Sequence, residues 1–369
     1  MRILVVNAGS SSLKLSLLDG GGAPLLTESV PAGSGGLDEG ALREAIVRSR
    51  PVDAVGHRIV HGGTEFTEPV LVDTRVRRRL EALTDLAPLH QPKSLRGLDL
   101  VCRLLPEAPA VACFDTAFHA RIPDSAATYA LPSEWRRRWT LRRFGFHGLS
   151  HAYASRRAAE MLGRPATELR VVTCHLGAGA SLAAVRGGVS VDTTMGFTPL
   201  EGLVMATRSG SIDPGLLLWL EEHVGMPPSE LATTLEHRSG LLGLCGTGDM
   251  RAILEHEAAG DADAALAVGV YLHRLRAGIA EMAAAMGGLD CLVFTGGVGE
   301  HAPDVRARAA EGLGFLGVLV DAKANREAHP DSDISPAGSG VRSLVIEARE
   351  DLEIASGVRE ALGPPPSAT

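Results

Sequence analysis

The stretch that most constrains this chain is a strand, a small-residue turn and a second strand at its start. Ile3-Leu4-Val5-Val6 enters Asn7-Ala8-Gly9-Ser10-Ser11-Ser12-Leu13-Lys14, and Leu15-Ser16-Leu17-Leu18 leaves it. Two apolar runs joined by a Gly/Ser turn predict a β-hairpin. Residues 170–186 echo the pattern: Arg170-Val171-Val172-Thr173-Cys174-His175-Leu176, then Gly177-Ala178-Gly179-Ala180, then a second apolar run to Val185. Two such hairpins point to two halves built on one plan. Their tips suit phosphate, because small residues let backbone N–H groups approach, hydroxyls add donors and Lys14 adds charge. A P-loop differs, since its Gly-rich segment runs into a helix.

Composition sharpens that reading. Lysine and arginine together number 36, yet only Lys14, Lys93 and Lys323 are lysines, and Asn7 and Asn325 are the sole asparagines. One of each in a single eight-residue turn argues for chemistry over a solvated surface loop. A length of 369 residues suggests about two to three domains. Aromatics make up only 4%, so the cores must be chiefly Leu, Val and Ala. The net charge of −8 argues against a nucleic-acid partner, whose footprint would be a basic surface. The densest basic run, Arg136-Arg137-Arg138, reads as a solvated helix end. Five scattered cysteines without a Cys-x-x-Cys pair read as small core residues in a reducing compartment. The first apolar run is too short for a leader, and no run approaches the ~20 residues of a membrane helix. A cytoplasmic protein is therefore expected, with a frayed tail at Gly-Pro-Pro-Pro-Ser-Ala-Thr.

Further along, apolar strands and amphipathic helices alternate, which indicates an α/β protein. Residues 53–59 lead to a Gly62-Gly63 turn, 76–86 read as helical, and Ala110–Phe114 reads as a buried strand ending at Asp115. A helix is expected over roughly 262–286, because Val268, Leu272, Leu275, Ile279, Met282 and Met286 recur at spacings of three and four. Gly287-Gly288 would end it. The buried strand 292–294 should enter a Gly-rich turn, Thr295-Gly296-Gly297-Val298-Gly299-Glu300-His301, with a helix following from about Pro303. The expected domains are 1–150 with a returning helix in 351–369, and 151–350.

The ordered motifs resemble the acetate kinases of the short-chain carboxylate kinase family, within the actin, sugar-kinase and Hsp70 ATPase superfamily. The resemblance runs from Met1 to about Val358. It is carried by Asn7–Lys14, by Gly56-His57-Arg58-Ile59-Val60-His61-Gly62-Gly63, by Leu86-Ala87-Pro88-Leu89-His90 and by Phe114-Asp115-Thr116-Ala117-Phe118-His119. Arg143-Phe144-Gly145-Phe146-His147-Gly148, Ser150-His151, the block Asp192–Gly202, Thr207-Arg208-Ser209-Gly210, Asp213-Pro214, Ser239–Gly243 and Asp249-Met250-Arg251 continue it. The chain looks shortened between residues 20 and 52. The resemblance implies two similar domains of the actin-like ATPase (ribonuclease H-like) type with an interdomain active-site cleft. It implies reversible phosphoryl transfer between ATP and acetate, and a homodimer. The alternatives are a propionate or butyrate kinase of the same family, or a catalytically weak nucleotide-binding sensor on the same fold.

Phosphoryl transfer to a carboxylate brings two anions together, so positioning and charge neutralisation dominate. The resemblance places Arg58 on the carboxylate, and Arg208 with His147 on the phosphoryl group in flight. An arginine offers a planar fork of donors for either task. Asp115 falls in the active site, where an electrostatic or positioning role is expected, because an ionised acid needs no deprotonation. His175, His90 and His119 are further donors. Val60, Leu89 and Pro199 match the small apolar substrate pocket. Lys14, the turn His175-Leu176-Gly177-Ala178-Gly179, Asp249-Met250-Arg251 and Gly297-Val298-Gly299-Glu300-His301 match nucleotide sites. Mg²⁺, with Mn²⁺ as a substitute, is implied by the reaction, and the family comparison nominates Asn7 and Glu350. Four positions depart from the family's usual residues: Ala178 and His301 replace Asn, Gln91 replaces Asn and Ser211 replaces Asp.

Overall fold

The computed structural model describes residues 1–8, 12–33, 36–87 and 91–363. The Gly9-Ser10-Ser11 tip of the opening turn, Leu89 and His90, and the tail beyond Gly363 lie outside the described residues. The chain forms two compact units. One comprises Met1–Ala120, Phe146–Tyr153 and Arg349–Thr369, and the other Arg121–Gly145 and Ala154–Ala348.

The first unit is built on strands β1 (Ile3–Ala8), β2 (Ser12–Leu18), β3 (Pro24–Gly33), β4 (Gly36–Leu37), β5 (Ala54–Ile59), β6 (Val70–Leu71) and β7 (Ala110–Phe114). They lie in the order β4-β3-β2-β1-β5-β7-β6. The predicted hairpin is present, with β1 antiparallel to β2 and Asn7 opposite Lys14. β1, β5 and β7 run parallel. A central parallel strand is buried on both faces, which is why β1 reads as one apolar run. Leu4 and Val6 pack with Leu42 and Ile46 of the Glu39–Ser49 helix, whereas Ile3 and Val5 pack with Ile354, Ala355 and Val358 of the Glu350–Leu362 helix. Gly56 seats that last helix. A Cβ there would come within 2.5 Å of the Ile354 side chain and 2.8 Å of Val358.

The second unit carries β8 (Arg170–Leu176), β9 (Ala180–Arg186), β10 (Val189–Thr193), β11 (Cys291–Thr295), β12 (Ser332–Asp333) and β13 (Arg342–Val345), in the order β10-β9-β8-β11-β13-β12. The second hairpin is β8–β9. Strand for strand, this sheet repeats β3-β2-β1-β5-β7-β6. In each, the central strand is antiparallel to its hairpin partner and parallel to the next two strands, and the far edge strand is antiparallel. Two copies of one α/β plan form the actin-like ATPase architecture.

The long helix spans Ala262–Met286 with all six periodic apolar residues buried. Asp261 caps its start, and Gly287, at φ 72°, ends it. One local expectation is corrected. The helix from Pro303 is present as Pro303–Glu311, but the Gly-rich segment before it is not a turn: a short helix, Gly296–His301, begins at once after β11. Glycine disfavours a helix interior, but Gly296 turns the chain at φ 78° and Glu300 Oε1 accepts its N–H at 2.9 Å. That cap closes the turn as helix. No described helix is long and apolar enough to cross a membrane.

Candidate active site

Parallel strands deliver their carboxyl ends to one edge of the first sheet, the usual place for a ligand in such folds. Asn7 lies near the end of β1, Arg58 is the penultimate residue of β5 and Asp115 comes immediately after β7. Glu350 opens the C-terminal helix seated by Gly56. The four side chains meet. Arg58 Nε donates to Asp115 Oδ1 at 3.0 Å and Nη2 donates to Oδ2 at 2.6 Å. Arg58 Nη1 donates to Asn7 Oδ1 at 3.1 Å, and Asn7 Nδ2 donates to Glu350 Oε2 at 2.6 Å. Glu350 Oε2 also lies 3.7 Å from Arg58 Nη1.

Burial sets the electrostatics. The Asp115 side chain is 1% exposed and that of Arg58 15%. Burial raises the Asp115 carboxyl above its ordinary value, with Arg58 opposing. Burial also works against the Arg58 charge, but Asp115 and Glu350 together hold the guanidinium protonated. Two carboxylates thus face one guanidinium, with an amide oxygen beside them. This hard-oxygen donor set fits a divalent cation such as Mg²⁺, which takes one or two carboxylates and completes its shell with water and phosphate. Among the described residues no group of three or more His, Cys, Asp or Glu could hold a metal by itself.

His147 is placed by its neighbours. It adopts φ 56°, rare for a residue other than glycine, just ahead of the Gly148–Leu162 helix. Gly148 N–H donates to the Asp115 carbonyl at 2.8 Å, and a Cβ at Gly148 would collide with that oxygen. On the other side, the carbonyl of the buried Phe146 meets His119 Nε2 at 3.1 Å. His57, His61 and His119 are buried, and burial pulls each imidazole down to about 4. Val60 is half-buried after β5, and Lys14 is exposed on β2, outside the hydrogen-bonded cluster.

Gln91 was recognised in the sequence only as a departure. It is fully buried, and Nε2 donates to the carbonyls of His61 and Leu80 at 3.1 and 3.2 Å while Oε1 accepts the His61 N–H at 3.3 Å. It therefore braces the segment after Val60. Its longer side chain still satisfies a buried amide.

In the second unit, Arg208 Nε lies 3.1 Å from Glu236 Oε2, and Nη1 donates to the Pro199 carbonyl at 3.4 Å. Burial disfavours the Arg208 charge, and Glu236 opposes that shift. Pro199 is buried within a braced loop. Arg143 donates to Glu201 at 2.8 Å and to the Thr194 carbonyl at 3.1 Å, and the Tyr129 hydroxyl donates to Glu201. Ser211 Oγ accepts the Gly202 N–H at 3.0 Å, so the shorter departure residue still closes the loop.

The nucleotide candidates divide. His175 is half-buried at the end of β8, and Gly177 N–H donates to the Gly179 carbonyl at 2.9 Å, closing the second turn. The Ala178 carbonyl accepts the Ala206 N–H at 3.0 Å, tying that turn to the Arg208 segment. Asp249 caps the Met250–Ala258 helix by accepting the Arg251 N–H at 3.0 Å. Met250 packs in the core at 5% exposure, while the Arg251 side chain is exposed. Gly297 and His301 are exposed, whereas Gly299 is buried and Glu300 Oε1 is engaged by the N–H groups of Gly296 and Ala348. Buried Arg306 donates to the carbonyls of Gly299 and Glu300 at 2.9 and 2.8 Å and to Asn325, bracing this short helix. Glu236 and Arg306 carried no readable signal, because a lone Glu or Arg on a polar helix reads as a solvated face.

A family model described as the Acetokinase family matches residues 37–356. The chain belongs to the acetokinase family. Among its acetokinase relatives is "Acetate kinase" of Synechococcus sp. (strain JA-2-3B'a(2-13)), 44% identical over 405 aligned residues that cover 98% of this chain and 99% of that protein. The fold is similar to the crystal structure of Porphyromonas gingivalis acetate kinase, with TM-score 0.90, 36% identity, and 98% and 100% of the two chains covered. A propionate kinase from Francisella tularensis subsp. tularensis SCHU S4 is as similar, with TM-score 0.89, 36% identity, and 96% and 98% covered. Solved members of the acetokinase fold are thus named for two different acids at equal identity.

Proposed function

We propose that this chain catalyses reversible phosphoryl transfer between ATP and acetate, giving ADP and acetyl phosphate by direct in-line attack. The observation that carries this reading is the Asn7–Arg58–Asp115–Glu350 cluster at the ends of three parallel strands, in a chain of the acetokinase family. An acetate oxygen forms a bond to the γ-phosphorus, the bond from that phosphorus to the β–γ bridging oxygen breaks, and ADP leaves with the electron pair. Little covalent work falls to protein groups, so they position reactants and neutralise charge.

Arg58 meets the carboxylate through Nη1, the terminal nitrogen that Asp115 does not occupy. Asp115 aims Arg58 and is not a base, because acetate arrives ionised. Arg208 and His147 neutralise charge on the transferring phosphoryl group. Asn7 and Glu350 would hold Mg²⁺, which when bound neutralises phosphate charge. Lys14 and the 177–179 turn bind phosphates, and residues 249–251 and 297–301 contact the nucleoside. The first unit is thus the carboxylate and phosphate domain and the second the nucleotide-binding domain. The enzyme works as a cytoplasmic homodimer.

A propionate kinase is the second reading, favoured by the equal likeness to the Francisella propionate kinase. Purified protein should be assayed with a panel of carboxylates and phosphoryl donors by coupled ADP formation. ADP release that needs acetate supports the proposal. A higher kcat/KM for propionate supports the second reading, and nucleotide-independent activity with pyrophosphate would overturn the ATP assignment.

A further inference from the structure

We infer that Glu236 is a positioning residue that aims Arg208. The inference rests on the reading of Arg208 as the phosphoryl clamp. Both residues belong to the second unit, and their side chains are 13% and 18% exposed. Glu236 sits in the last turn of the Pro228–His237 helix. That turn grips the arginine segment at three points. The Thr207 hydroxyl donates to the Glu236 carbonyl at 2.8 Å, Ser209 N–H donates to the Leu235 carbonyl at 3.1 Å, and the Glu236 carboxylate lies 3.1 Å from Arg208 Nε. The residues on either side of Arg208 are thus fixed to one turn of helix, and the Glu236 carboxylate sits at the inner edge of its guanidinium.

The choice of nitrogen matters. A guanidinium carries five N–H donors in a planar fork, and Nε contributes only one. A carboxylate beside Nε, with the Pro199 carbonyl on Nη1, leaves Nη2 for an anion. Glu236 also offsets the cost of keeping a cation in a largely buried site before the anion arrives. The first unit also sets a carboxylate at Nε of its arginine, where Asp115 bridges Nε and Nη2 of Arg58. An ion pair that only stabilised the fold would not need to spare Nη2.

A double-mutant cycle tests this inference on the full-length protein, with circular dichroism to confirm folding. Glu236→Ala should lower kcat on the order of 10–100-fold, the range for removing a group that orients a functional ligand. The KM values for ATP and acetate should stay within about twofold of wild type, because the aimed contact strengthens in the transition state. Glu236→Gln, which keeps an acceptor at Nε, should recover most of the loss. In the Arg208→Ala background, Glu236→Ala should cost nothing further. If Glu236→Ala does not fold, Glu236→Asp replaces it, with a loss again seen only when Arg208 is present. Equal losses with and without Arg208, or wild-type turnover in a folded Glu236 variant, would overturn the inference while leaving the clamp intact. Wild-type turnover in Arg208→Ala would remove the clamp itself.

Discussion

Arg58 holds both oxygens of Asp115, Nε on Oδ1 at 3.0 Å and Nη2 on Oδ2 at 2.6 Å, across 57 residues of sequence. A fork-to-fork contact fixes the plane of both groups. It leaves Nη1 directed at Asn7 and Glu350, so the arginine links the carboxylate at the end of β7 to the start of the C-terminal helix. Breaking such a buried pair by removing one charge leaves the other uncompensated, at a cost of about 3–5 kcal/mol. Asp115→Ala should therefore lower the urea unfolding free energy at pH 7 by about that amount, besides slowing turnover. A loss under about 1 kcal/mol would mean the pair is solvated in solution, since exposed pairs contribute no more than that.

The buried histidines give stability a defined pH dependence. His57, His61 and His119 titrate near 4 in the folded chain, below the ordinary value of 6.5. The unfolded chain therefore binds more protons between those values, and stability rises with pH there. Their contribution is fully present above 6.5 and is lost as pH falls toward 4. Melting temperature measured between pH 7.5 and 4.5 should fall most steeply below 6.5. A flat profile over that range would contradict the burial of these rings.

Gln91 is predicted to matter despite its distance in sequence from the charged cluster. Gln91→Ala removes three buried hydrogen bonds, one from the His61 N–H and two to the carbonyls of His61 and Leu80. Each such bond contributes about 0.5–1.5 kcal/mol. Denaturant unfolding should show a loss of at least that size, and a neutral substitution would show that water replaces the amide.

What could be read from the sequence was mostly local. The two hairpins, the Ala262–Met286 helix and the buried strand ending at Asp115 each announce themselves within a few residues, because period and turn chemistry are short-range signals. The meeting of Asn7 and Glu350 spans 343 residues, and no periodicity encodes it. It was nominated from the family resemblance, and the seat that Gly56 provides for the last helix is its physical cause. The short Gly296–His301 helix was read as a turn because glycine propensity pointed the wrong way, and the Glu300 cap that closes it is a tertiary choice. Met250 lies in a recognisable motif, yet its side chain is core. A motif marks a segment without saying which of its side chains face a ligand.

Substrate size offers a separate prediction. Val60 is half-buried beside the braced segment that Gln91 holds. A valine leaves less room than alanine for a longer acid, and one methylene in an apolar pocket discriminates by about 1–3 kcal/mol. Wild type should prefer acetate to propionate in kcat/KM, and Val60→Ala should narrow or invert that ratio. An unchanged ratio would place the pocket elsewhere.

The central proposal is that Arg58 binds the carboxylate and Arg208 neutralises the transferring phosphoryl group, each arginine paired with a carboxylate of its own unit. The most direct measurement is the rate of acetyl phosphate formation from ATP, Mg²⁺ and acetate by wild type, Arg58→Ala and Arg208→Ala, each shown to be folded by circular dichroism. Wild type is predicted to turn over only when acetate is present. Each variant should lose about 10²–10³-fold or more in kcat, the scale for removing one preorganised donor. Near-wild-type turnover in either folded variant, or wild-type turnover without acetate, would contradict the account.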